Sequence, residues 1–245
     1  MSRLRKLVRR TLGGAPAASG GMTLIDKVAK FVACEVIEGD YLEFGVFRGG
    51  SFIESYRALE RQALRRLTHQ AGGDDPETAE RRRVAWQSRR YLAFDSFEGL
   101  PELTADDRAT DDFAAGQYSC SVDEFSHRLG EAEVSMDRVR LVPGWFEETC
   151  VPRTREEHNL ERAAVVWIDA DLYSSTRTAL EFVTDLLQDG TVLIFDDWFS
   201  YRGSPFEGEQ RAFHEWSSAL SDRYHFSEYQ RESWKRMSFI VSEKR

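Results

Sequence analysis

The sequence is poor in cysteine, in histidine and in long apolar runs, and each shortage excludes a class of protein. Its three cysteines, Cys34, Cys120 and Cys150, stand far apart without C-x-x-C spacing, and its five histidines form no H-x-x-x-H pair. Neither a disulfide framework nor a zinc finger is therefore expected. The longest apolar runs fall far short of the ~20 residues that cross a bilayer, so no integral membrane span is expected.

Lysine is scarce as well. Only five of the 33 basic residues are lysines, and none lies between Lys30 and Lys235, so lysine-based proton transfer has few places in the chain. Arginine remains protonated at any working pH. The formal charge is −9 and the pI is near 5.2. A nucleic-acid partner is not expected, because such partners favour a broad basic face.

The 245 residues are expected to form one main domain. Residues 1–21 read as a basic arm and a linker of small residues, and residues 22–245 as a single domain. The arm has no long apolar segment or A-x-A site of a secretory signal, which predicts a cytoplasmic protein. A solvated terminus or weak adhesion to anionic lipid or a partner would explain the arm. Residues 68–90 are interpreted as a charged surface insertion and residues 98–120 as a candidate lid.

Apolar strand-like segments alternate with segments of helical periodicity. The predicted strands are 41–46, 91–94, 139–142, 163–168, 191–195, 225–229 and 236–241. The predicted helices are one capped by Thr23 and ended by Gly39, then 51–67, 122–129, 176–187 and 207–220. This alternation predicts an α/β fold with a mostly parallel sheet of about seven strands, helices on both faces and a late antiparallel hairpin.

Ligands of open parallel sheets bind beyond the carboxyl ends of the strands, so the residues there are informative. The first strand runs into Glu43-Phe-Gly-Val-Phe-Arg-Gly-Gly50, whose glycines let the backbone approach a ligand. The second ends at Asp95, and a carboxylate there suits the hydroxyls of a ribose. A glycine turn that serves only for packing is the alternative.

Two later strand ends carry clustered carboxylates, Ile168-Asp-Ala-Asp171 and Phe195-Asp-Asp197. The 27 positions between Asp169 and Asp196 match one β-α-β crossover, so both ends should lie side by side. Such a cluster calls for protonation, for pairing with arginine, or for a hard divalent cation such as Mg²⁺. The alternative makes Asp169 a helix N-cap and Asp197 a turn former.

Five ordered segments resemble the macrocin/mycinamicin-type sugar O-methyltransferases, which are class I S-adenosylmethionine (SAM) enzymes of natural-product and antibiotic biosynthesis. They are the segments EFGVFRGG, FDSFEGLP, VPGWF, IDADLYSST and IFDDW, which begin at Glu43, Phe94, Val142, Ile168 and Ile194. The Asp-Ala-Asp segment also resembles the metal site of small catechol O-methyltransferases. The resemblance implies a class I SAM methyltransferase (Rossmann-like) fold, SAM and Mg²⁺ as cofactors, and a sugar or glycosylated metabolite as the hydroxyl acceptor.

The resemblance also implies roles for individual residues. Those expected around SAM are Glu43, Phe44, Gly45, Arg48, Gly49, Gly50, Ser51, Asp95, Ser96, Phe97, Gly144 and Trp145. Asp169, Asp196 and Asp197 are expected to hold Mg²⁺, with Asp171 just outside the ligand set. The general base is left open among Asp169, His214 and His225.

Other functions stay open at this point. The same fold and metal could serve a catechol or phenolic acceptor. A nicotinamide oxidoreductase is disfavoured because G-x-G-x-x-G and a Tyr-x-x-x-Lys pair are missing. A non-catalytic scaffold of methyltransferase fold is disfavoured by the intact glycines and aspartates. The resemblance is compatible with a homo-oligomer.

Overall fold

A computed structural model of the chain describes residues 22–69, 74–107 and 113–245. The strands are β1 (Asp40–Phe44), β2 (Tyr91–Asp95), β3 (Val139–Pro143), β4 (Ala163–Ile168), β5 (Val192–Phe195), β6 (Tyr224–Glu232) and β7 (Arg236–Glu243). The α-helices are α1 (Leu24–Glu35), α2 (Gly50–His69), α3 (Pro76–Ser88), α4 (Val122–Glu131), α5 (Phe146–Thr149), α6 (Pro152–Glu157), α7 (Tyr173–Val183) and α8 (Gly208–Ala219). Short 3₁₀ helices are Met136–Arg138, Thr184–Leu186 and Tyr201–Gly203. The basic arm and linker of residues 1–21 lie outside the described residues.

The strands form one sheet in the order β3-β2-β1-β4-β5-β7-β6. The first five are parallel, and β7 pairs antiparallel with both β5 and β6. The predicted seven-stranded, mostly parallel sheet with its late hairpin is thereby confirmed. Because the chain winds outward from β1 in one direction and from β4 in the other, a crevice opens where the carboxyl ends of β1 and β4 meet.

Every residue of β1, β2, β4 and β5 is buried, as expected for parallel strands covered on both faces. Alternate residues of each strand enter different apolar clusters: Tyr41 packs with Phe52 and Phe125 from α2 and α4. Phe44 packs on the other face with Phe182 from α7. Helices therefore cover both faces of the sheet, as predicted.

The first helix ends earlier than expected. The Thr23 hydroxyl accepts from the Asp26 N–H at 3.2 Å, as an N-cap should. The helix stops at Glu35, and Val36 takes the left-handed conformation with φ 56°. Gly39 serves in the turn into β1, where a Cβ would lie 2.5 Å from the Arg162 carbonyl oxygen.

The segment interpreted as a surface insertion, 68–90, is largely helical. Asp75 caps α3 by accepting from two backbone N–H groups at 3.0 Å. Trp86 is buried, and its indole N–H donates to Glu60 Oε2 on α2 at 2.8 Å. The Arg138 guanidinium binds the other oxygen of Glu60 at 2.7 Å. Residues 70–73 of this segment lie outside the described residues.

The hairpin of β6 and β7 contains a bulge. The pairing shifts between Glu228 and Arg231 and then continues to Glu232, which lies opposite Arg236. Residues 233–235 form the turn. Because β7 is antiparallel to β5, this turn lies at the carboxyl edge of the parallel strands, beside the crevice.

Among the described residues, no helix is both long enough and apolar enough to cross a membrane.

Candidate active site

A cavity of about 280 Å³ lies at the carboxyl ends of β1, β2, β4 and β5. Its polar lining residues include Asp95, Ser96, Asp169, Asp171, Ser175, Asp196, Asp197 and Lys235. Its aromatic and apolar lining residues include Phe47, Leu100, Pro101, Phe113, Tyr118, Trp145 and Phe146. The crevice predicted from strand order and the acidic cluster predicted from the sequence therefore belong to one site.

The turn after β1 depends on Gly45. This residue has φ 85°, and a Cβ on it would lie 1.9 Å from the Asp169 carbonyl oxygen. Any side chain would therefore separate the ends of β1 and β4. Asp95 fixes the same turn from β2, since its Oδ2 accepts from the N–H groups of Val46 at 2.7 Å and Phe47 at 3.0 Å. Its Oδ1 accepts from the Phe97 N–H at 2.7 Å.

Of the residues expected around SAM, Gly45, Asp95, Ser96 and Trp145 border the cavity. The others do not line it: Glu43, Phe44, Arg48, Gly49, Gly50, Ser51, Phe97 and Gly144. Phe44 lies in the core, with its ring stacked on Phe94 at 4.6 Å. Arg48 is exposed and pairs with Glu124 at 3.4 Å. Their expected contacts with SAM stay predictions.

Glu43 is buried in β1, two residues before Gly45, which borders the cavity. Its carboxyl accepts from the Ser51 hydroxyl at 2.5 Å and from the Tyr41 hydroxyl. Burial raises the pKa of Glu43 to about 8, although both hydroxyls act in the opposite direction. The group is therefore mostly protonated at neutral pH.

Three carboxylates converge at the ends of β4 and β5. Asp169, Asp171 and Asp197 each offer an oxygen within 4.8 Å of the others. Burial raises the pKa of Asp169, and repulsion from Asp196, Asp171 and Asp197 adds to the effect. The pKa of Asp171 is raised by burial and by Asp197. An oxygen-only set under mutual repulsion is the arrangement that a hard divalent cation relieves.

The converging trio differs from the expected ligand set. Asp196 was expected inside it and Asp171 outside, whereas Asp196 Oδ1 accepts from Arg236 Nε at 2.6 Å. Asp171 takes the left-handed conformation, with φ 59°, and its carboxyl joins the trio. Arg236 begins β7, so its pairing with Asp196 depends on a long-range contact that the local sequence does not reveal.

Glu209 of α8 is a member of the site that sequence reasoning missed. It is buried, and its Oε2 accepts from the Asp197 N–H at 3.0 Å. Its Oε1 is buried without a hydrogen-bond partner among the described residues. Burial and the neighbouring aspartates raise its pKa. This orphaned oxygen, together with the oxygen-only trio, fits a site that accommodates a cation.

The two histidines considered as bases do not reach the cavity. His214 is exposed on α8, with its ring 5.8 Å from that of Trp198. His225 is exposed near the start of β6, opposite Ser242, which places it at the amino edge of the parallel strands. Both therefore belong to the surface, and Asp169 is the considered base that borders the cavity.

Lys235 brings a lysine side chain to the cavity, where the scarcity of lysine in the sequence did not suggest one. Its Nζ lies 2.6 Å from Asp197 Oδ1, and its side chain borders the cavity. Asp197 and Lys235 are far apart in the sequence, so the sequence alone did not indicate this contact. The predicted antiparallel hairpin could have indicated it. A strand that pairs antiparallel with the last parallel strand begins at the carboxyl edge of the sheet, where the aspartates lie.

The candidate lid is attached to the body of the domain by Asp107. Its carboxylate accepts from the Ser174 N–H at 3.0 Å and hydroxyl at 2.8 Å, at the first turn of α7. These bonds lower the pKa of Asp107, against the effect of its partial burial. The ring of Phe113 lies 5.6 Å from that of Tyr201. Residues 108–112 lie outside the described residues.

Comparison with known proteins gives a consistent result. The family model described as Macrocin-O-methyltransferase (TylF) matches residues 79–218, more than half of the chain. The 8-demethyl-8-(2,3-dimethoxy-alpha-L-rhamnosyl)-tetracenomycin-C 4'-O-methyltransferase of Streptomyces olivaceus is 34% identical over 172 residues, which cover 68% of this chain and 56% of that protein. The mycinamicin III 3''-O-methyltransferase of Micromonospora griseorubida is 30% identical over 169 residues, 66% of this chain and 56% of that protein. The chain spans about half the length of these curated relatives.

The solved structure of the O-methyltransferase NovP aligns with a TM-score of 0.63 at 22% identity. The alignment covers 88% of this chain and 77% of that one. This likeness concerns the fold, and it confirms the predicted class I SAM methyltransferase architecture.

Proposed function

Because the chain belongs to the macrocin-O-methyltransferase (TylF) family, we propose that it transfers a methyl group from SAM to a hydroxyl of a sugar or glycosylated natural product. The names of the two relatives describe methyl transfer to a rhamnosyl tetracenomycin and to mycinamicin III. The observation that carries the proposal is the shared cavity, in which the glycine turn of β1 and the aspartates of β4 and β5 border the same space. A donor and an acceptor can therefore meet there.

The proposed donor site lies on the β1–β2 side. SAM supplies a methyl group on a sulfonium, which is a good leaving group and needs no covalent help from the protein. Gly45 keeps the backbone close, Ser96 borders the cavity, and Trp145 offers an aromatic wall. The Asp95 carboxylate binds the backbone of the loops after β1 and β2. It also borders the cavity, where the ribose of SAM is expected.

The proposed metal site is the trio Asp169, Asp171 and Asp197, with Asp196 held beside it by Arg236. A bound Mg²⁺ lowers the pKa of an acceptor hydroxyl and orients its oxygen. The orphaned oxygen of Glu209 supports a site built for positive charge. Asp169 is the proposed proton acceptor, because among the bases considered from the sequence it is the one that borders the cavity, beside the other two aspartates of the trio.

The proposed acceptor site is the apolar and aromatic part of the cavity lining. Phe47, Leu100, Pro101, Phe113 and Tyr118 border it with apolar and aromatic surface. The rings of Phe47 and Tyr118 meet edge to face at 5.8 Å, and both are partly exposed. Such surfaces bind the apolar faces of sugars and exclude water during transfer.

Titration with S-adenosylhomocysteine tests the donor site. We expect saturable binding to the wild type and weaker binding to Asp95→Asn, which keeps one oxygen for the backbone N–H groups but removes the charge. Thermal unfolding of the variant checks that it is folded. Absence of binding to the wild type would contradict the methyltransferase proposal and favour a non-catalytic role.

Methyl transfer to mycinamicin III, with catechol as a phenolic probe, then tests the acceptor class. Transfer to the sugar-bearing acceptor that stops in EDTA and returns with Mg²⁺ is the expected result. Transfer to catechol alone would replace the sugar acceptor by a phenolic one. Full activity in EDTA would remove the metal from the proposal.

A further inference from the structure

Two cations enter the acidic cluster from the β6–β7 hairpin, and they are held very differently. Arg236 contacts two carboxylates, Asp196 at 2.6 Å and Glu232 at 3.1 Å. Its guanidinium also lies over the Trp167 ring, 5.2 Å from the centroid. Glu232 is itself fixed, because it accepts from the Leu24 N–H at 2.7 Å. Several contacts therefore hold Arg236 beside the cluster.

Lys235 has weaker attachments. Among the described residues, Asp197 is the one carboxylate within ion-pair distance of its Nζ, at 2.6 Å. Its side chain is 34% exposed and has a flexible four-carbon stem. The ring of Trp234, on a residue that is 69% exposed, lies 5.7 Å from Nζ. The ammonium can therefore leave Asp197 for solvent by breaking one direct ion pair, against the longer-range attraction of Asp196 and Asp169.

Asp197, in contrast, cannot move away from the cluster. Its side chain is 2% exposed. Oδ1 accepts from the Ser200 hydroxyl at 2.7 Å, and the backbone N–H donates to Glu209. The same carboxylate belongs to the converging trio with Asp169 and Asp171. A divalent cation that binds the trio therefore meets the ammonium of Lys235 at Asp197.

We propose that Lys235 is a displaceable counter-ion of the aspartate trio, which occupies Asp197 in the metal-free protein and competes with a divalent cation for that carboxylate. The inference rests on the metal site of the proposed function. The positive charge lowers the repulsion among the aspartates before metal arrives. The same charge opposes the incoming cation, so metal binding requires the side chain to swing outward past Trp234.

The competition is tested with Mn²⁺ alone, as the probe of the metal site, by isothermal titration and by EPR of free Mn²⁺. Lys235→Met keeps the stem and removes the charge, and Lys235→Gln keeps a hydrogen-bond donor. The matched control is Lys244→Met, which changes net charge equally but lies just beyond the far end of β7. We expect both Lys235 variants to bind Mn²⁺ about tenfold more tightly than the wild type, and the control to bind like the wild type.

The possible outcomes separate this inference from the proposed function. Binding to the variants alone would support the competition in its strongest form. Equal or weaker binding in the variants, with clear binding to the wild type, would overturn the competition and leave the metal site standing. No Mn²⁺ binding to any of the proteins would overturn both the metal site and the competition.

Thermal unfolding gives a second readout, which can be measured even when a variant is obtained in low yield. Without metal, Lys235→Met should melt below the wild type because the aspartates lose a counter-charge. With saturating Mn²⁺ its melting temperature should rise by more than that of the wild type. A smaller rise than in the wild type would contradict the inference.

Discussion

The two sides of the cavity hold their carboxyl groups in different ways. On the β1–β2 side, Asp95 accepts three backbone N–H groups and Glu43 accepts two hydroxyls, so the protein itself supplies the donors. On the β4–β5 side, the aspartate trio has carboxylates for neighbours and depends on cations from the hairpin. The first arrangement holds the backbone of two loops in place. The second leaves repulsion among the aspartates, which a bound cation can reduce further.

Neutralising one member of the trio should give the largest effect. Asp169→Asn is expected to reduce methyl transfer by about 10³-fold, because it removes the proposed base and one metal ligand. The same change should raise the melting temperature of the metal-free protein, since it removes a charge that burial and Asp196 oppose. Asp222→Asn, which changes an exposed aspartate, is the control for net charge. Loss of both activity and stability would give Asp169 a structural role instead.

The Glu43 carboxyl should impose a pH dependence on stability. Its pKa is about 8 in the folded protein and 4.5 in the unfolded chain, so the folded state binds the extra proton between these values. The free energy of unfolding should therefore fall as pH rises from 5 to 8, by up to about 1.4 kcal/mol per pH unit from this group.

Urea unfolding of wild type and Glu43→Gln in metal-free buffer measures this slope. The variant cannot ionise, so its stability should fall less steeply with pH. Glu98→Gln, at an exposed position, should keep the wild-type slope. Parallel curves for wild type and Glu43→Gln would show that Glu43 is ionised in the folded protein.

Removing the Asp95 carboxylate should have a smaller, purely destabilising effect at a fixed pH. Asp95→Ala leaves the N–H groups of Val46, Phe47 and Phe97 without their acceptor, which should lower the free energy of unfolding by about 2 kcal/mol. Urea unfolding measures the loss. Unchanged stability with lost S-adenosylhomocysteine binding would instead assign Asp95 to the ligand alone.

The lid attachment should give the smallest effect. Asp107→Ala removes the acceptor for the Ser174 N–H at the start of α7, which should cost about 1 kcal/mol. Amide hydrogen exchange should become faster in residues 98–107 and stay unchanged in β1. Asp123→Ala, in the first turn of α4, is a control for losing an acidic residue near a helix N-terminus. Unchanged exchange in the lid would show that other contacts hold it.

The sheet could be predicted well from the sequence because its strands are short, continuously apolar and bounded by turn residues. The strand at Ala163–Ile168 was predicted with its observed bounds. Helix α3 was not predicted, because it buries little more than Ala85 and Trp86 and its other positions are mostly charged or polar. The helical periodicity of α3 is therefore too weak to detect in the sequence, and the contact of Trp86 with Glu60 is known only from the structure.

The site could be predicted only where strand ends determine it. Asp169 and Asp197 follow buried strands, so topology brings them together. The pairing of Asp196 with Arg236 and the contact of Lys235 with Asp197 both depend on a hairpin that is distant in sequence. The histidines were considered for their chemistry alone, and topology places them on the surface.

The bulge in β6 determines where Lys235 stands. With the extra residue, the ladder closes at Glu232 opposite Arg236 and leaves a three-residue turn, in which Ser233 has φ 56°. If the register of Glu228 opposite Phe239 continued without the bulge, Glu232 would pair with Lys235 and the turn would shorten to two residues. The bulge thus takes Lys235 out of the ladder and leaves its side chain in the turn, where it borders the cavity.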